Sequence, residues 1–241
     1  MESYIDIHSH VLPGLDDGSK DFDTSMRMLK IAAADGISQV ILTPHNKPAR
    51  HNAGPSRIDA LLAELVRRME NEGIAIKLHR GNEIYYRSGL VEEIMAGQAL
   101  TMAGSDYALI EFGPMDDYDY IRNGVYNLMA EGYYPILAHV ERYSKIIGRA
   151  DRVEELIEMG CYIQVNAGSV MGIFGLGTRH FTKRLLKERL VHFVATDAHD
   201  TGKRAPYIRE CASFIAKKYG EDYARELLYE NPVYVIRNEY I

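Results

Sequence analysis

Short apolar runs alternate with longer amphipathic stretches along the whole chain. Seven short runs have strand length and are rich in β-branched or aromatic residues, which predicts strands at residues 4–8, 39–43, 74–79, 107–111, 134–138, 162–165 and 192–196. The stretches between them have helical spacing of apolar positions, which predicts helices at residues 23–34, 56–71, 89–95, 119–131, 149–159, 177–188 and 203–219. Ser56 is the expected N-cap of the second helix, and left-handed C-caps are expected at Gly36, Gly73, Gly132 and Gly160.

This alternation predicts the fold class. Repeated strand–helix units require parallel strands joined by helical crossovers. Seven such units within 241 residues favour a closed or nearly closed α/β barrel, with an open doubly wound sheet as the main alternative. Because the chain has no low-complexity tract, linker-like stretch or internal repeat, we expect one domain over residues 1–241.

Residues that commonly bind metals follow almost every predicted strand. They are His8 and His10 at the first strand, His45, Glu83, Glu111 and His139 at the next four, and Asp197 and His199 at the seventh. The C-terminal ends of barrel strands converge on one face, so residues far apart in sequence can meet around one cleft. His8 and His10 are two residues apart, and an extended chain points both in the same direction. Asp16-Asp17-Gly18 follows the first strand, where a turn can aim a carboxylate at that cleft.

The donor set indicates a cluster of divalent metals and a hydrolytic reaction. Histidine and carboxylate donors without thiolate suit Mn²⁺, Fe or Zn²⁺, and the share of carboxylates favours Mn²⁺ or Fe. A bridging carboxylate such as Glu83 can hold two ions about 3.5–4 Å apart, a spacing that suits in-line attack on phosphorus by a metal-activated hydroxide. Arg142, three residues after His139, can add a forked contact to a phosphate.

Composition limits the classes of binding partner and the cellular compartment that we expect. The formal net charge is −6, so nucleic-acid binding through a basic surface is not favoured, and bound cations would offset the acidic balance for an anionic substrate. Neither Cys161 nor Cys211 has an arginine six positions later, because those positions hold Ala167 and Lys217, so a cysteinyl-phosphate mechanism is not expected. A cytoplasmic protein is expected, since the chain shows no disulfide framework, signal-peptide pattern or apolar run of membrane-spanning length.

Each of these features has an ordinary structural explanation when it is taken alone. A single His-x-His is a weak indicator of a metal site, Asp16-Asp17-Gly18 is typical of a surface turn, and Glu111 fits a salt bridge at a barrel rim. Jointly, these explanations require five histidines and four carboxylates to gather at strand ends by chance. The other histidines are not expected to bind metal. His79 and His192 are expected in the core or behind the ligands, His180 on an exposed helix face, and His51 in a solvated loop.

The ordered motifs resemble those of a known family. IDIHSH at residues 5–10 is followed by DDG at 16–18, TPH at 43–45, GNEI at 81–84, IEF at 110–112, AHVER at 138–142 and ATDAH at 195–199. Together they are similar to the PHP (polymerase and histidinol phosphatase) superfamily. They are most similar to the manganese-dependent protein-tyrosine phosphatases of bacterial capsule and exopolysaccharide synthesis, the CpsB/CapC type. The similarity covers nearly the whole chain and includes GSVMGIFG at residues 168–175, a segment without an obvious metal role.

The resemblance implies a distorted seven-stranded (β/α)7 TIM-like barrel that holds three metal ions, with Mn²⁺ first and Fe or Zn²⁺ as alternatives. By position, the first ion is assigned to His8, His10, Glu83 and Asp197, the second to Glu83, Glu111 and His139, and the third to Asp17, His45 and His199. Arg142 matches the phosphate-binding arginine of the family, and Arg142, Asp197 and Glu111 are assigned as the catalytic residues. The implied substrate is phosphotyrosine on the tail of a cognate bacterial tyrosine kinase.

Other functions remain open at this point. The first alternative is a small-molecule phosphatase of the same superfamily, acting for example on histidinol phosphate. An inactive regulator would be expected to lack a ligand, and none is missing; an amidohydrolase would typically carry a bridging lysine on the fourth strand, where this chain has Glu111. Val140 replaces the family's proline in the turn that aims Arg142. The cleft rim is expected at residues 46–55 and 113–120, and four tyrosines near it are candidates either for stacking on the substrate ring or for ordinary packing: Tyr85, Tyr86, Tyr118 and Tyr120.

Overall fold

In a computed structural model, which describes residues 3–48 and 52–241, short strands alternate with helices along the chain. The strands are β1 (Tyr4–Ser9), β2 (Ile37–Leu42), β3 (His45–Asn46), β4 (Lys77–Arg80), β5 (Glu83–Tyr85), β6 (Tyr107–Glu111), β7 (Tyr134–Leu137), β8 (Tyr162–Asn166) and β9 (Phe193–Ala195). The helices are α1 (Phe22–Ala34), α2 (Pro55–Glu72), α3 (Leu90–Met95), α4 (Tyr118–Ala130), α5 (Ala150–Glu158), α6 (Ala167–Met171), α7 (Leu176–Lys187), α8 (Arg209–Tyr219), α9 (Glu221–Arg225) and α10 (Asn231–Arg237).

All strand pairs are parallel, and the sheet is curled. The hydrogen-bonded order is β1-β2-β4 in one segment and β3-β5-β6-β7-β8-β9 in the other. A parallel bridge joins Ser9 to Ala198, and the amide of Asp197 donates to the carbonyl of His8 over 2.9 Å. The sheet therefore curls until β1 contacts the segment that follows β9, which agrees with the predicted barrel-like class and not with a flat doubly wound sheet.

Apolar side chains fill both sides of the curled sheet. One buried cluster lies on the concave side and includes Ile5, Ile41, Leu109, Ile136 and Phe193, all of them fully buried. A larger cluster packs the alternate strand residues against the helices. Because strand side chains alternate between faces, this arrangement buries both faces of nearly every strand, which is why the strands are short continuous apolar runs in sequence.

Several predicted boundaries are corrected by the structure. The third predicted strand, residues 74–79, is instead Lys77–Arg80, and a second segment, Glu83–Tyr85, follows it. Ser56 is not an N-cap, because Pro55 begins α2 after Gly54 and supplies the fixed φ that suits a first helical position. The last predicted helix begins at Arg209 and not at residue 203, because residues 203–208 form a turn followed by a segment without regular secondary structure.

Other predictions are confirmed or are incomplete. Gly36, Gly73, Gly132 and Gly160 all have positive φ, as the expected C-caps require. The short helices that follow α8, including a π-helical segment at Glu226–Glu230, were not predicted. No helix within residues 3–48 or 52–241 combines the length and apolar character needed to cross a bilayer.

Candidate metal centre

The end of β1 supplies two histidines that meet two carboxylates from distant strands. His8 Nε2 lies 3.4 Å from Glu83 Oε1 and 3.4 Å from Asp197 Oδ1. His10 Nε2 lies 3.2 Å from His8 Nε2, 3.4 Å from Glu83 Oε2 and 3.6 Å from Asp197 Oδ1. All four side chains are buried. The resemblance assigns the same four residues to the first ion.

These separations fit a shared cation. Nitrogen and oxygen ligands lie about 2.0–2.2 Å from ions of this class, which places neighbouring ligands about 3.0–3.5 Å from each other in tetrahedral or octahedral geometry. Glu83 Oε2 and His45 Nδ1 are 2.6 Å apart, yet neither atom has a hydrogen-bond partner among the described residues. Buried polar atoms without a hydrogen-bond partner need an explanation, and a metal ion bound beside them would supply one.

Glu83 links this group of residues to a second one. Its Oε1 lies 2.8 Å from His139 Nε2, and Glu111 Oε1 lies 3.8 Å from the same nitrogen. Glu83 is completely buried and contacts four imidazoles, those of His8, His10, His45 and His139. A carboxylate in this position can bridge two ions, as the sequence predicted.

A third group lies on the solvent side. Asp17 Oδ1 is 3.3 Å from His45 Nε2, and Asp17 Oδ2 is 3.9 Å from His199 Nε2. The ring of His199 stacks 3.9 Å from that of His10. His45 also presents Nδ1 to Glu83 and Glu111, so it stands between the second and third predicted groups. The structure thus brings all nine predicted ligands into one cluster.

The ligand histidines are held by partners behind them. His8 Nδ1 contacts Gln164 Oε1 at 3.1 Å, His10 Nδ1 contacts Asp16 Oδ2 at 2.7 Å, and His199 Nδ1 contacts the carbonyl of Asp197 at 2.9 Å. Each contact fixes the Nδ1–H tautomer and leaves Nε2 as the donor to a metal. Sequence reasoning missed Gln164 and did not assign Asp16 a role, because the partners of a ring are set by tertiary contacts.

Two ligand residues have strained backbone. His139 has φ +34 and Asp197 has φ +52, in the left-handed region that residues other than glycine rarely adopt. The carbonyl of His139 accepts from the amide of Arg142 at 2.9 Å, which closes a 3₁₀ turn over Val140–Arg142. The turn therefore forms with Val140 in place of proline. Such strain is common where the surrounding structure fixes a functional side chain.

The β1 strand contains an irregularity that redirects its side chains. Its register with β2 shifts between Asp6 and Ser9, as a β-bulge would produce. Ile7 belongs to the buried concave cluster, and the next residue, His8, also reaches the metal ligands on that side. Strict alternation cannot place two consecutive residues on one face, whereas a bulge can.

Arginine and lysine side chains surround the carboxylates. Arg142 Nη2 lies 3.0 Å and Arg204 Nη2 lies 2.8 Å from Asp197 Oδ2. Lys47 Nζ lies 2.9 Å from Glu111 Oε2 and 3.3 Å from His45 Nε2. The sequence predicted Arg142 but missed Arg204 and Lys47. Each of these two residues follows a predicted ligand by a few positions. Neither lies within one of the motifs, so the sequence did not indicate a role for them.

The electrostatics reflect this concentration of charge. Burial lowers the pKa of the His10 imidazole, but the Asp16 and Glu83 carboxylates outweigh burial and raise it to about 10. Asp17 and Glu83 likewise overcome the effect of burial and raise the pKa of His45 to about 9. Burial and the nearby His10 lower the pKa of His199 to about 3. Without metal, protons on His10 and His45 would therefore balance the carboxylates, and a cation would replace those protons.

The remaining predicted residues lie outside the cluster. His79 contacts Gln39 Oε1 at 2.9 Å, His192 accepts a hydrogen bond from the amide of Ile163, and His180 is exposed, as expected. His51 and residues 49–50 of the rim loop lie outside the described residues. Tyr86 packs 5.0 Å from Phe112, and the Tyr118 hydroxyl donates to the carbonyl of Arg152, so both rings serve packing.

Sequence and structure comparisons agree on one group of proteins. A family model described as "Capsular polysaccharide synthesis, CpsB/CapC" matches residues 4–237. Tyrosine-protein phosphatase CpsB of Streptococcus agalactiae serotype III (strain NEM316) is 31% identical over 242 residues, covering 98% of this chain and 100% of its own. Tyrosine-protein phosphatase YwqE of Bacillus subtilis (strain 168) is 33% identical over 238 residues, covering 98% of this chain and 93% of its own.

Solved structures extend this result. A chain from the crystal structures of YwqE from Bacillus subtilis and CpsB from Streptococcus pneumoniae, described as unique metal-dependent tyrosine phosphatases, superposes with a TM-score of 0.93. It is 32% identical and covers 98% of this chain and 96% of its own. Histidinol phosphate phosphatase from Lactococcus lactis superposes with a TM-score of 0.59 at 14% identity, covering 90% of this chain and 94% of its own, which shows a shared fold alone.

Proposed function

Because this chain belongs to the CpsB/CapC family, we propose that it is a metal-dependent protein-tyrosine phosphatase of capsular or exopolysaccharide synthesis. The resemblance predicted from the motifs is thereby confirmed. The observation that carries the proposal is the cluster of nine candidate ligands centred on the buried Glu83. It is supported by relatives named as tyrosine phosphatases that match over 93–100% of their own length.

The proposal assigns the ligands as the sequence did. Three ions would be held, with Mn²⁺ as the expected metal: the first by His8, His10, Glu83 and Asp197, the second by Glu83, Glu111 and His139, and the third by Asp17, His45 and His199. When bound, such metals supply Lewis acidity and a nucleophile at neutral pH. Donor atoms 2.6–3.9 Å apart around Glu83 and Asp17 support this assignment.

Arg142 and Arg204 would bind the phosphate. Their guanidinium groups converge on Asp197 and are partly exposed, so they can exchange this contact for phosphate oxygens. Two forked donors neutralise the charge of a phosphate dianion and orient it for in-line displacement. Asp197 and Glu111 complete the catalytic set as ligands that touch the reacting groups. The substrate would enter on the side of Asp17, whose side chain is 60% exposed.

The fold supports a seven-stranded barrel. Only Thr43 and Pro44 separate β2 from β3, and only Gly81 and Asn82 separate β4 from β5. We treat each pair as one interrupted strand, so that the order β1, β2/β3, β4/β5, β6, β7, β8 and β9 gives seven strands in a single domain. The bridge between Ser9 and Ala198 would close that ring. His45 and Glu83 begin the second segments, which gives the interruptions a role in aiming ligands.

The substrate would be a phosphotyrosine protein, with a cognate tyrosine kinase as the expected partner and the cytoplasm as the expected compartment. The test is phosphate release by the Mn²⁺-loaded protein from phosphotyrosine peptides, phosphoserine peptides and histidinol phosphate. We expect preference for phosphotyrosine, and a loss of at least about 100-fold on chelation or in His8→Ala, because a buried ligand is removed.

His79→Ala is the matched control, since His79 lies on β4 and contacts Gln39, outside the ligand cluster. It should retain activity. Efficient hydrolysis of histidinol phosphate with negligible hydrolysis of peptides would contradict the protein-phosphatase proposal. Activity that survives both chelation and His8→Ala would contradict the metal mechanism.

A further inference from the structure

A cation-rich groove lies between α7 and α8, away from the ligand cluster. This cavity of about 430 Å³ is lined by His180, Lys183, Arg184, Lys187, Lys218 and Tyr219, and we refer to it as the basic groove. Glu188 is the one carboxylate among its lining residues in the described part of the chain. The groove contrasts with the chain as a whole, whose formal net charge is −6.

The lysines of the basic groove have no acidic partner in the part of the chain that the structure describes. Within residues 3–48 and 52–241, the ammonium groups of Lys183, Lys187 and Lys218 have no carboxylate within 4.0 Å. Arg184, in contrast, is paired with Glu188 at 2.9 Å. Burial, together with the neighbouring Arg179 and Lys218, lowers the pKa of the Lys183 ammonium. Cations crowded in this way repel each other, and an anion in the groove would relieve that repulsion.

Aromatic rings hold two of these ammonium groups in place. Lys183 Nζ lies 4.2 Å from the centre of the Phe214 ring, and Lys218 Nζ lies 5.6 Å from the rings of Phe214 and Tyr219. The Tyr219 hydroxyl donates to the carbonyl of Lys183 at 3.1 Å, which joins α8 to α7. Side chains restrained by cation–π contacts lose less entropy when they bind a partner.

The helix α7, which lines the basic groove, begins next to the rim of the proposed active site. Phe174, two residues before α7, packs its ring 5.2 Å from the guanidinium carbon of Arg142. A helix rises about 1.5 Å per residue, so Lys183 and Lys187 lie about 10–17 Å along α7 from that rim. An extended peptide covers this distance in about three to five residues.

We propose that the basic groove binds an acidic segment of the phosphoprotein substrate, about three to seven residues from the phosphotyrosine. This inference rests on the proposed function and deepens it by naming a feature of the substrate. Charge complementarity and the link through α7 and Phe174 to Arg142 favour a peptide. RNA is disfavoured because the Phe214 ring that would stack on a base is already covered by Lys183.

The experiment uses the full-length metal-loaded protein and two phosphotyrosine peptides, one with glutamates three to seven residues from the phosphotyrosine and one with glutamines there. The wild type should hydrolyse the acidic peptide with a KM about tenfold lower and a similar kcat, because the groove adds only binding. Lys183→Glu/Lys187→Glu should abolish this difference and leave hydrolysis of a small aryl phosphate unchanged.

The matched control is Lys30→Glu/Lys77→Glu, which makes the same change in net charge at exposed positions on α1 and β4. Equal KM values for the two peptides, or an equal loss in both double variants, would overturn the inference. So would binding of RNA or anionic vesicles that the groove variant loses while its peptide kinetics stay normal. A failure of the proposed function itself would be distinguishable, because the wild type would then hydrolyse neither phosphotyrosine peptide.

Discussion

Glu83 is the residue on which the ligand cluster depends. It is fully buried, and burial alone would raise the pKa of its carboxyl, but His8, His10, His139 and His45 together hold that pKa well below its usual range. A buried carboxylate with this many imidazole neighbours is stable only while they, or a metal, compensate its charge. The groups that compensate the charge of Glu83 therefore also stabilise the folded centre.

His192 provides a pH test away from the ligands. Burial lowers its pKa to about 4, so the folded protein keeps it neutral while the unfolded chain takes up a proton below pH 6.5. Stability is therefore lost as pH falls from 6.5 towards 4, by about 2–3 kcal/mol at pH 4.5. His192→Gln, which retains an acceptor for the Ile163 amide, should flatten this dependence by that amount.

The measurement is the free energy of unfolding in urea at pH 7 and pH 4.5, with chelator present so that metal release does not contribute. The exposed His180→Gln serves as the control and should keep the wild-type slope. An unchanged slope in His192→Gln would show that this half-buried imidazole does not resist protonation.

At the scale of elements, helices position the strand ends that carry the ligands. Gly124 of α4 faces the ring of Phe112, the residue after Glu111, and a Cβ at Gly124 would lie 2.7 Å from Phe112 Cζ. Tyr86 lies 3.0 Å from the same point, so the space is closed on two sides. Glycine is unfavourable inside a helix, and the close packing around Gly124 explains its presence here.

Gly124→Ala should therefore destabilise the protein by about 1–3 kcal/mol, because the added methyl group overpacks this contact. The control is Gly177→Ala in α7, where a Cβ would have no atom within 4 Å and should be neutral or stabilising by up to about 1 kcal/mol. Thermal or urea unfolding of both variants measures the difference. Equal stabilities would mean that Phe112 and Tyr86 move aside without cost.

At the scale of the whole molecule, the ligand cluster joins distant parts of the chain. Its members come from β1, β3, β5, β6 and the segments after β1, β7 and β9, so bound metals would act as crosslinks across the mouth of the curled sheet. Cations also compensate carboxylates that folding has removed from water. Metal binding should therefore contribute to global stability as well as to activity.

Removal of metal by chelation should lower the midpoint of thermal unfolding by about 5–10 °C. This follows from about 2.7 kcal/mol of stabilisation at a metal concentration 100 times the dissociation constant, in a chain of this size. Differential scanning calorimetry with and without Mn²⁺ measures the shift. Glu83→Gln should show little response to Mn²⁺, whereas a full response in that variant would contradict its role as the bridging ligand.

The sequence by itself determined the alternation of elements and which histidines and carboxylates are candidate ligands. Strand runs and strand-end histidines depend on local periodicity and residue chemistry, so His8, His10, Glu111 and His139 could be identified before any contact was known. The motif order likewise identified the family. The clustering of the nine candidate ligands was predicted because parallel strands carry their C-terminal ends to one face, whatever the details of packing.

Only the tertiary structure decided how these residues are held. The bulge in β1, the left-handed backbone of His139 and Asp197, and the contact from Gln164 to His8 each depend on neighbours far away in sequence. The basic groove is likewise formed by two helices whose packing local patterns do not specify. Periodicity records which face a residue occupies, whereas register, strain and hydrogen-bond partners are set by the energy of the assembled fold.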